Sequence, residues 1–371
     1  MITVERAELH HIHLDYVNPF ETSFAREYGR STFLLALHGN GHTGWAECVA
    51  SPAPGYSAET LTSCQYIVEE YLLPQILGKP ISSTDEIPER FKMIRGNTMA
   101  KATVENAVWD LMARVKGISL QEMLGGEMKE IAVGVSVGIE PTMEKQLAMV
   151  ESYLADGYGR VKLKIKPGWN VEPVRAIRER WPDILLQVDA NSAFTLDDVA
   201  IFKELDKYNL LLIEQPFHYE DMVDHARLQA QIETPVCLDE TIHSFNHARW
   251  ALDINACKII NIKVGRVGGF TAAKAIHDLC QANGIPVWCG GMLETNIGRA
   301  GNVALSSLPN FTLPGDVSAS ARYFHRDVAT PNFVLNDNST LTVPTGLGTG
   351  VEVDLDFVES IRSAHQVHHA G

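Results

Sequence analysis

Five short apolar runs occupy the middle of the chain, and each has a charged residue at or near its C-terminal end. They recur about every 25 residues: VKLKIK at 161–166, ILLQVDAN at 184–191, LLLIEQP at 210–216, PVCLDE at 235–240 and KIINIK at 258–263. A near-constant period with a strand-like run in each copy indicates a structural repeat. Amphipathic stretches at 171–181, 196–208 and 271–283 lie between or after the runs. The pattern therefore predicts repeated strand–helix units of a parallel sheet.

The charged residue of each run stands at its C-terminal end. In a closed (β/α)8 barrel, side chains at this end line the rim on which active sites are built. Successive strands would bring five charged groups to one mouth: Lys164, Asp189, Glu214, Asp239 and Lys263. The alternative is that charged residues only mark where each strand leaves the core. Five groups in phase, ordered lysine, three acids, lysine, favour a functional site.

The chain is too long for a barrel alone. It has 371 residues, and a barrel needs about 250. Residues 1–50 alternate with period two, with a turn at 39–41, and predict an antiparallel meander, whereas 57–126 predict helices. We therefore predict an α/β protein with an α+β capping domain at 1–126, a modified (β/α)8 TIM-like barrel at 127–324, and a C-terminal segment at 325–371 that returns to the capping domain.

Composition excludes several classes of protein. The net charge of −15 argues against a nucleic-acid partner and against an anionic membrane surface. No apolar run approaches the roughly 20 residues of a membrane span, and the N-terminus lacks the form of a signal peptide. The six cysteines show no CxxC spacing and are expected to be buried thiols in a reducing compartment. We therefore expect a cytoplasmic protein without membrane or nucleic-acid partners.

Two groups of histidines raise the question of a metal. His10, His11 and His13 lie on a predicted strand with no acid pair nearby, which favours surface or edge histidines over ligands. Three further histidines, His365, His368 and His369, are expected in a frayed C-terminal end without a role.

Two loops that interrupt the capping domain carry large aromatic residues. They are NPFETSF at 18–24 and ASPAPGYS at 50–57, with Phe20, Phe24 and Tyr56. Such side chains either pack under their own loop or close over a ligand as a lid. The sequence alone leaves both interpretations open.

The three carboxylates at the predicted mouth imply a metal. Asp189, Glu214 and Asp239 would repel each other strongly without a cation between them. All-oxygen ligation suits Mg2+, or Mn2+, better than zinc. Such a site would keep open positions for water and for a substrate carboxylate.

The lysines at the mouth can serve as acids and bases. Lys162 and Lys164 share one face of a strand, Lys166 lies at the rim before Pro167, and Lys263 comes from the far side of the ring. Two lysines on opposite faces of a substrate could each reach its α-carbon. Burial and neighbouring cations lower the pKa of a lysine, as a general base requires. The alternative, salt bridges to the adjacent acids, does not explain why the carboxylates lie between the lysines.

These residues resemble the enolase superfamily over essentially the whole chain. In that superfamily a Lys or His base acts with Mg2+, which stabilises an enediolate. KLK at 162–164 together with Lys263 resembles the muconate-lactonising subgroup. The mandelate-racemase subgroup would need a His-Asp pair after the fifth strand, whereas His277, the nearest histidine after Lys263, lies on a predicted helix. Seven segments are similar to the o-succinylbenzoate synthase and N-succinylamino acid racemase family: VKLKIKPGW, LLQVDAN, LLLIEQP, CLDETI, NIKVGRVGG, GIPVWCGGMLETNIGR and LPNFTLPGD.

The resemblance implies a role for each site residue. Lys164 and Lys263 would be the acid/base pair, and Lys162 would help to neutralise the enolate. Mg2+ would be bound by Asp189, Glu214 and Asp239, with Asn191 beside them. Phe20, Phe24 and Tyr56 would line the lid, and the substrate's acyl arm would contact Ser136, Gly291 and Met292.

The resemblance also implies a small carboxylate substrate with a succinyl or N-acyl arm, and a homo-oligomeric enzyme. Two reactions share this machinery: dehydration to o-succinylbenzoate in menaquinone biosynthesis, and racemisation of N-succinylamino acids. A muconate-type cycloisomerase and a dipeptide epimerase are the alternatives. Dipeptide epimerases have an Asp-x-Asp pair at the eighth strand, whereas this chain has Asp316-Val317-Ser318, so a blocked amino group fits better. Arg266, three residues after Lys263, either tunes Lys263 toward base function or only caps its loop.

Overall fold

The N-terminal part of the chain forms an antiparallel sheet covered by helices. The computed structural model describes residues 1–21 and 26–371. The elements of this part are β1 Ile2–Thr3, β2 Arg6–Glu21, β3 Arg26–Gly39, β4 His42–Glu47, α1 Leu61–Ile67, a π-helical segment Val68–Leu72, α2 Leu73–Ile76, β5 Pro80–Ile81, α3 Glu86–Arg90, α4 Thr98–Lys116 and α5 Leu120–Leu124. Strands β2, β3 and β4 pair in sequence order as a meander, as the alternating pattern predicts.

The turn between β3 and β4 follows from its sequence. Asn40 and Gly41 have φ values of 53° and 76°, and a two-residue Asn-Gly turn of this kind matches the twist of the flanking strands. The longest helix, α4, then packs along β3 and β4. Its buried apolar side chains join a core with those of the sheet and of α1, α2 and α3.

The middle of the chain forms a parallel barrel with helices outside it. Its elements are β6 Glu130–Ala132, β7 Val135–Val137, α6 Met143–Ala155, β8 Arg160–Lys164, α7 Val171–Arg180, β9 Leu185–Asp189, α8 Val199–Leu205, β10 Ile213–Glu214, α9 Val223–Gln229, β11 Val236–Leu238, α10 Phe245–Asp253, β12 Ile259–Ile262, α11 Val264–Val267, α12 Phe270–Ala282, β13 Val287–Cys289 and α13 Asn296–Leu305, with short 3-10 helices at Leu196–Asp198, Asp206–Tyr208 and Ser320–Arg322. Strands β7 to β13 lie side by side in sequence order, all parallel.

The segment from 311 to 315 closes the ring. Phe311 bridges Val287 of β13, and Gly315 bridges Val133 just before β7, both in parallel orientation. This segment therefore takes the eighth position, as the sequence predicts. The predicted modified (β/α)8 barrel with an α+β capping domain is confirmed.

The inside of the barrel is layered. Leu212, just before β10, forms a small buried apolar cluster with Cys237, Ile259 and Trp288 of the next three strands. Side chains two residues further along a strand point to the same side. Glu214 and Asp239 therefore lie directly above this cluster, toward the C-terminal mouth.

The C-terminal segment adds β14 Ala329–Thr330, β15 Thr340–Thr342, β16 Glu352–Val353, α14 Leu355–Ile361 and β17 Arg362–His369. Strand β15 pairs with β6, and β17 pairs with β2 at the edge of the capping sheet. The expectation of a frayed end was wrong. The ladder to β2 orders the backbone, and His365 and His368 contact the carboxylates of Glu8 and Glu69 at 2.7 and 3.3 Å.

All six cysteines are free and buried, as the sequence predicts. Within residues 1–21 and 26–371, no helix is both long and apolar enough to cross a membrane.

Candidate active site

Adjacent barrel strands present three charged residues at one level of the mouth. Lys164 of β8 is in register with Asp189 of β9, and Asp189 is in register with Glu214 of β10. Side chains in register on neighbouring parallel strands point to the same side, so all three face the barrel interior. Asp239 follows β11 and reaches the same mouth. All four side chains are buried.

Lys162 lies one layer below, between carboxylates. Its Nζ is 2.9 Å from Glu214 Oε2 and 3.3 Å from Asp189 Oδ2, and it also pairs with Asp316. The same Nζ lies 5.0 Å from the centre of the Trp288 ring. Burial lowers the pKa of Lys162. The carboxylates of Asp316, Glu214 and Asp189 together raise it by more than burial lowers it, so the net pKa lies above the ordinary value. Lys162 is therefore a fixed cation.

Lys164 contacts both Asp189 and Asn191. Its Nζ donates to Asp189 Oδ2 at 2.6 Å and to Asn191 Oδ1 at 2.7 Å. Asn191 in turn donates from Nδ2 to Glu240 Oε1 at 2.8 Å. Burial raises the pKa of Asp189, yet Lys164 and Lys162 together lower it below its usual range. Asp189 is therefore an anion in the folded protein.

Lys263 approaches the mouth from the other side. It follows β12, which lies four places from β8 around the ring of eight positions. Its Nζ donates to Asp239 Oδ2 at 2.8 Å and to the Tyr56 hydroxyl at 3.0 Å. Tyr56, from the loop at 50–57 of the capping domain, therefore contacts residues of the barrel mouth.

Arg266 shares the partners of Lys263. It pairs with Asp239 Oδ1, and its Nη1 donates to the Tyr56 hydroxyl at 3.2 Å. Its Nε and Nη2 donate to the carbonyl oxygens of Ile242 at 2.7 Å and Asn261 at 2.6 Å. Arg266 therefore holds the loop after Lys263 against neighbouring backbone carbonyl groups, and it also contacts a carboxylate of the mouth.

Burial lowers the pKa values of Lys162 and Lys263 as expected, but the expectation of a net lowering was wrong for both. For Lys263, burial lowers the pKa, but Tyr56, Glu240 and Glu214 raise it above the ordinary value. The reason is that each Nζ lies next to anionic or phenolic oxygens, and their attraction for the charged form outweighs burial.

One cavity brings together most of the residues that the sequence analysis names for catalysis and substrate binding. It is lined by Phe20, Tyr56, Ser136, Lys162, Lys164, Asn191, Lys263, Gly291 and Met292, and also by Glu27, Arg30, Ser51, Leu293, Asp316 and Tyr323. Phe24 lies outside the described residues. The three acids Asp189, Glu214 and Asp239 lie behind the lysines that contact them.

Sequence reasoning underestimated Asp316. Its Oδ1 accepts from the fully buried Arg160 at 2.7 Å, and its Oδ2 accepts from Ser136 Oγ at 3.0 Å and pairs with Lys162. Both carboxylate oxygens of Asp316 therefore have partners. Asp316 stands at the end of the eighth strand position, just as acids stand at the ends of earlier strands. This position in the sequence is the signal that indicates a place at the barrel mouth.

Sequence reasoning also missed Gln215, which holds two strand ends together. It has a left-handed backbone, with φ of 38°, although it is not glycine. Its Oε1 accepts from the backbone N–H groups of Asp239 at 3.0 Å and Thr241 at 3.2 Å. The left-handed region is costly for such a residue and persists where surrounding contacts enforce it. Asn191, Ser192 and Leu293, at φ of 41°, 65° and 59°, share this feature at the mouth.

The charges at the mouth fit a divalent cation. Among the described residues, the cations Arg160, Lys162, Lys164, Lys263 and Arg266 face the carboxylates of Asp189, Glu214, Asp239, Glu240 and Asp316. Burial, and then Asp189, raise the pKa of Glu240 to about 7, and its Oε2 is buried without a hydrogen-bond partner in the described part of the chain. Glu240 therefore offers an acidic oxygen without a partner beside the other carboxylates, and an all-oxygen donor set suits Mg2+ or Mn2+.

A second cluster of possible ligands lies on the capping sheet. Glu8, His10 and His365 bring three ligand atoms within 4.8 Å of one another. Two of these residues already interact with guanidinium groups: Arg6 pairs with Glu8 at 2.9 Å, and Arg362 donates to His10 Nδ1 at 3.3 Å. This cluster is better explained as the contact that holds β17 to β2.

Comparison with known proteins places this mouth in a family. Residues 7–125 match the family described as mandelate racemase / muconate lactonizing enzyme, N-terminal domain, and residues 145–357 match enolase C-terminal domain-like. The chain belongs to the enolase superfamily. The predicted membership is confirmed.

Curated members of the superfamily resemble this chain over its whole length. The o-succinylbenzoate synthase of Geobacillus kaustophilus is 47% identical over 369 residues, covering 99% of this chain and 98% of the relative. The N-succinylamino acid racemase of Amycolatopsis sp is 46% identical over 358 residues, covering 96% and 97%. A solved structure of an enolase superfamily member from Listeria innocua superposes with a TM-score of 0.96 at 42% identity, covering 100% of both chains.

Proposed function

We propose that this protein is a Mg2+-dependent enzyme that removes the α-proton of a small carboxylate bearing a succinyl or N-acyl arm. Its reactions are dehydration to o-succinylbenzoate and racemisation of N-succinylamino acids. The observation that carries the proposal is that Lys164 and Lys263 line one cavity from strands four places apart, with carboxylates between them. Full-length relatives with these two names, at 43–47% identity, support both reactions.

The two lysines account for racemisation. One Nζ takes the α-proton from one face of the substrate, and the other returns a proton to the opposite face. Each direction needs one lysine neutral and the other protonated, so the pair exchanges roles between enantiomers. Lys162 keeps its proton, because three carboxylates surround it, and it stabilises the negative charge that develops on the substrate.

The same residues account for dehydration. Lys164 removes the α-proton and then returns it to the leaving hydroxyl on the same face, while Lys263 acts as a cation near the developing charge. The dehydration therefore needs one working base and the racemisation needs two, which makes the reactions separable by substitution.

Asp189, Glu214 and Asp239 would hold Mg2+, or Mn2+. When bound, the ion supplies two positive charges at the substrate carboxylate, which lowers the cost of forming the dianionic enediolate. Proton removal adds one negative charge to the substrate carboxylate, and the two positive charges of the ion would match the two negative charges of the resulting dianion.

The contacts of Asp316 favour a blocked amino group. Its carboxylate already serves Arg160, Lys162 and Ser136, so it has little capacity left for a free ammonium group. A dipeptide epimerase is correspondingly less supported, and the L-Ala-D/L-Glu epimerase of Bacillus subtilis is only 27% identical over 302 residues. Muconate lactonizing enzyme shares the fold at 22% identity and supports no specific activity.

The acyl arm would lie against Ser136, Gly291 and Met292, under the aromatic lid of Phe20 and Tyr56. The backbones at Gly291 and Asp316 pack closely here, because a Cβ at position 291 would come within 2.6 Å of the Asp316 carbonyl oxygen. A cytoplasmic, homo-oligomeric enzyme completes the proposal. The buried free cysteines support a reducing compartment.

The experiment is proton NMR of the purified enzyme with Mg2+ in D2O, offered N-succinyl-L-phenylalanine. Loss of the α-proton signal with appearance of the D-enantiomer is expected. Lys164→Ala and Lys263→Ala should each abolish racemisation, and each should abolish exchange of a different enantiomer. Lys166→Ala is the matched control, since this lysine follows the same strand but contacts Glu21 at 3.5 Å outside the cavity.

Other outcomes would change the assignment. Exchange without inversion would leave one working base and restrict the proposal to dehydration. Absence of exchange and of dehydration activity, with Mg2+ present, would overturn it. Chelation with EDTA should abolish both reactions, and added Mg2+ should restore them.

A further inference from the structure

A carboxylate of the capping domain, Glu27, lines the same cavity as the proposed catalytic lysines. It lies on β3 directly opposite Phe20 of β2 in the strand register, and it is half-buried. Neither the proposed reactions nor the lid uses an acidic group at this place.

Glu27 differs from the other charged groups of the cavity in its partners. Arg30 donates to Glu47 at 2.8 Å and to the carbonyl oxygens of Met292 and Cys48 at 2.8 and 3.1 Å. Lys162, Lys164, Lys263 and Asp316 each have ion-pair partners. Among residues 1–21 and 26–371, the Glu27 side chain has no hydrogen bond and no ion pair.

The nearest cations along the chain are directed elsewhere. Arg26 pairs with Glu21 at 3.2 Å, and Arg30 is held by Glu47. No described lysine or arginine nitrogen lies within 4.0 Å of the Glu27 carboxylate. A half-buried carboxylate in a cavity attracts a cation more strongly than one in open water, because the surrounding protein lowers the effective dielectric constant.

The position of Glu27 indicates which part of a ligand it would meet. The lysines that would act on the α-carbon belong to the barrel, whereas Glu27 belongs to the capping domain. Phe20, Met292, Leu293 and Tyr323 line the cavity together with them. A substituent that extends from the α-carbon toward the capping domain would therefore run past apolar walls and end at a carboxylate.

We propose that Glu27 binds the positively charged side chain of the substrate, so that N-acylated amino acids of the lysine and arginine class are preferred. This inference rests on the proposed function and adds the substrate's side-chain class. Methylene groups of such a side chain suit the apolar walls, and its charged end suits Glu27. Substrates with acidic side chains are disfavoured by the same carboxylate.

The test compares two substrates that differ chiefly in the charge of the side chain. N-succinyl-L-arginine and N-succinyl-L-citrulline have nearly the same shape, but the citrulline side chain is neutral. The wild-type enzyme should racemise the arginine compound with a kcat/KM about 3- to 10-fold higher, as for a partly exposed ion pair. This preference should shrink as ionic strength rises, because salt screens exposed charges.

Substitution then assigns the preference to Glu27. Glu27→Gln should bring kcat/KM for the arginine compound down to that for the citrulline compound and leave the latter unchanged. Glu21→Gln is the matched control, because it removes a neighbouring carboxylate that faces Arg26 outside this cavity. It should keep the full preference for the charged side chain.

The outcomes separate this inference from the proposed function. Equal kcat/KM values for the two compounds in the wild-type enzyme, or an equal loss for both in Glu27→Gln, would overturn the role of Glu27 while leaving the racemase intact. The wild-type comparison needs no variant and stands even where Glu27→Gln folds poorly. Absence of α-proton exchange with any N-succinylamino acid would overturn the racemisation half of the proposed function.

Discussion

Gly290 lies where any side chain would press against the stem of Lys263. A Cβ at position 290 would come within 2.7 Å of Lys263 Cε and of Asn261 Nδ2. Asn261 cannot easily move aside, because its Nδ2 donates to Glu214 Oε1 at 2.7 Å. A glycine at the end of the seventh barrel strand therefore keeps room for the lysine of the sixth.

We expect Gly290→Ala to lower the rate of racemisation by a larger fraction than the free energy of unfolding. The added methyl group displaces Lys263 by several tenths of an ångström or more, and misplacement of a reacting group by about 1 Å can cost about 100-fold in rate. We expect a fall in kcat of about 10- to 100-fold, measured by polarimetry with N-succinyl-L-phenylalanine. Gly159→Ala is the control, since its Cβ would meet nothing closer than Ser339 Cβ at 3.4 Å. Wild-type kcat in Gly290→Ala would contradict the steric argument.

The ion pair between Arg160 and Asp316 should contribute strongly to stability. Arg160 is fully buried and Asp316 nearly so, and removal of one partner leaves a buried charge without compensation. Asp316→Asn should therefore lower the free energy of unfolding by about 3–5 kcal/mol, measured by urea denaturation.

Asp15→Asn serves as the matched control for that measurement. Asp15 contacts His13 at 3.3 Å, but its side chain is 88% exposed. Exposed pairs contribute about 0–1 kcal/mol, so the control should unfold close to the wild type. Equal effects of the two substitutions would show that water reaches Arg160.

The sequence predicts the barrel mouth well because the residues that form it recur with a constant period. Lys164, Asp189, Glu214, Asp239 and Lys263 each end an apolar run, and a parallel sheet in sequence order leaves little freedom in where they meet. The seven-strand order and the in-register pairing of Lys164, Asp189 and Glu214 follow from that period. The salt bridges between the lysines and the adjacent acids, the alternative to catalysis, are present in the structure, and the catalytic role of these lysines stays a prediction.

Other features depend on contacts that no local pattern records. Gln215 holds a left-handed backbone that its residue type does not favour, and only its bonds to the next strand end explain it. Arg160 lies in an apolar run, and its partner is 156 positions away. Strand β17 was missed because polar, histidine-rich ends rarely form strands by propensity. Its partner β2 lies at the other end of the chain.

Arg266→Gln should affect the two reactions unequally. Arg266 contacts Asp239 and the Tyr56 hydroxyl, and both of these groups also contact Lys263. The substitution changes the charge around Lys263 without touching Lys164. We expect racemisation to fall about 10-fold more than dehydration, since only racemisation needs Lys263 as an acid and base.

Isotope exchange assigns this effect to one lysine. In D2O, exchange of the enantiomer served by Lys263 should slow in Arg266→Gln, whereas exchange of the other enantiomer should change little. Arg266 also donates to the Ile242 carbonyl, so a purely loop-capping role is the alternative. Equal losses in both reactions, together with a lower melting temperature, would favour that alternative.

His225 should make stability depend on pH. It is fully buried, and its Nε2 accepts from the Phe217 backbone N–H at 3.1 Å, while its Nδ1 lies 2.5 Å from the Asp221 carbonyl oxygen. These contacts fix the neutral ring with a proton on Nδ1. Burial lowers its pKa from 6.5 to about 4. Because the folded-state pKa lies below the unfolded one, the unfolded chain binds a proton first as pH falls.

The stability that His225 contributes is therefore complete above about pH 6.5 and is lost as pH falls toward 4. His225→Gln removes this titration, although it also lowers stability at neutral pH by disturbing the buried contacts. The gap in unfolding free energy between wild type and variant should shrink by on the order of 2–3 kcal/mol from pH 7 to pH 4, measured by urea denaturation at each pH. For the control His325→Gln, at an exposed position, the gap in unfolding free energy to the wild type should stay constant with pH. A constant gap for His225→Gln would mean that His225 becomes protonated in the folded protein as easily as in the unfolded chain.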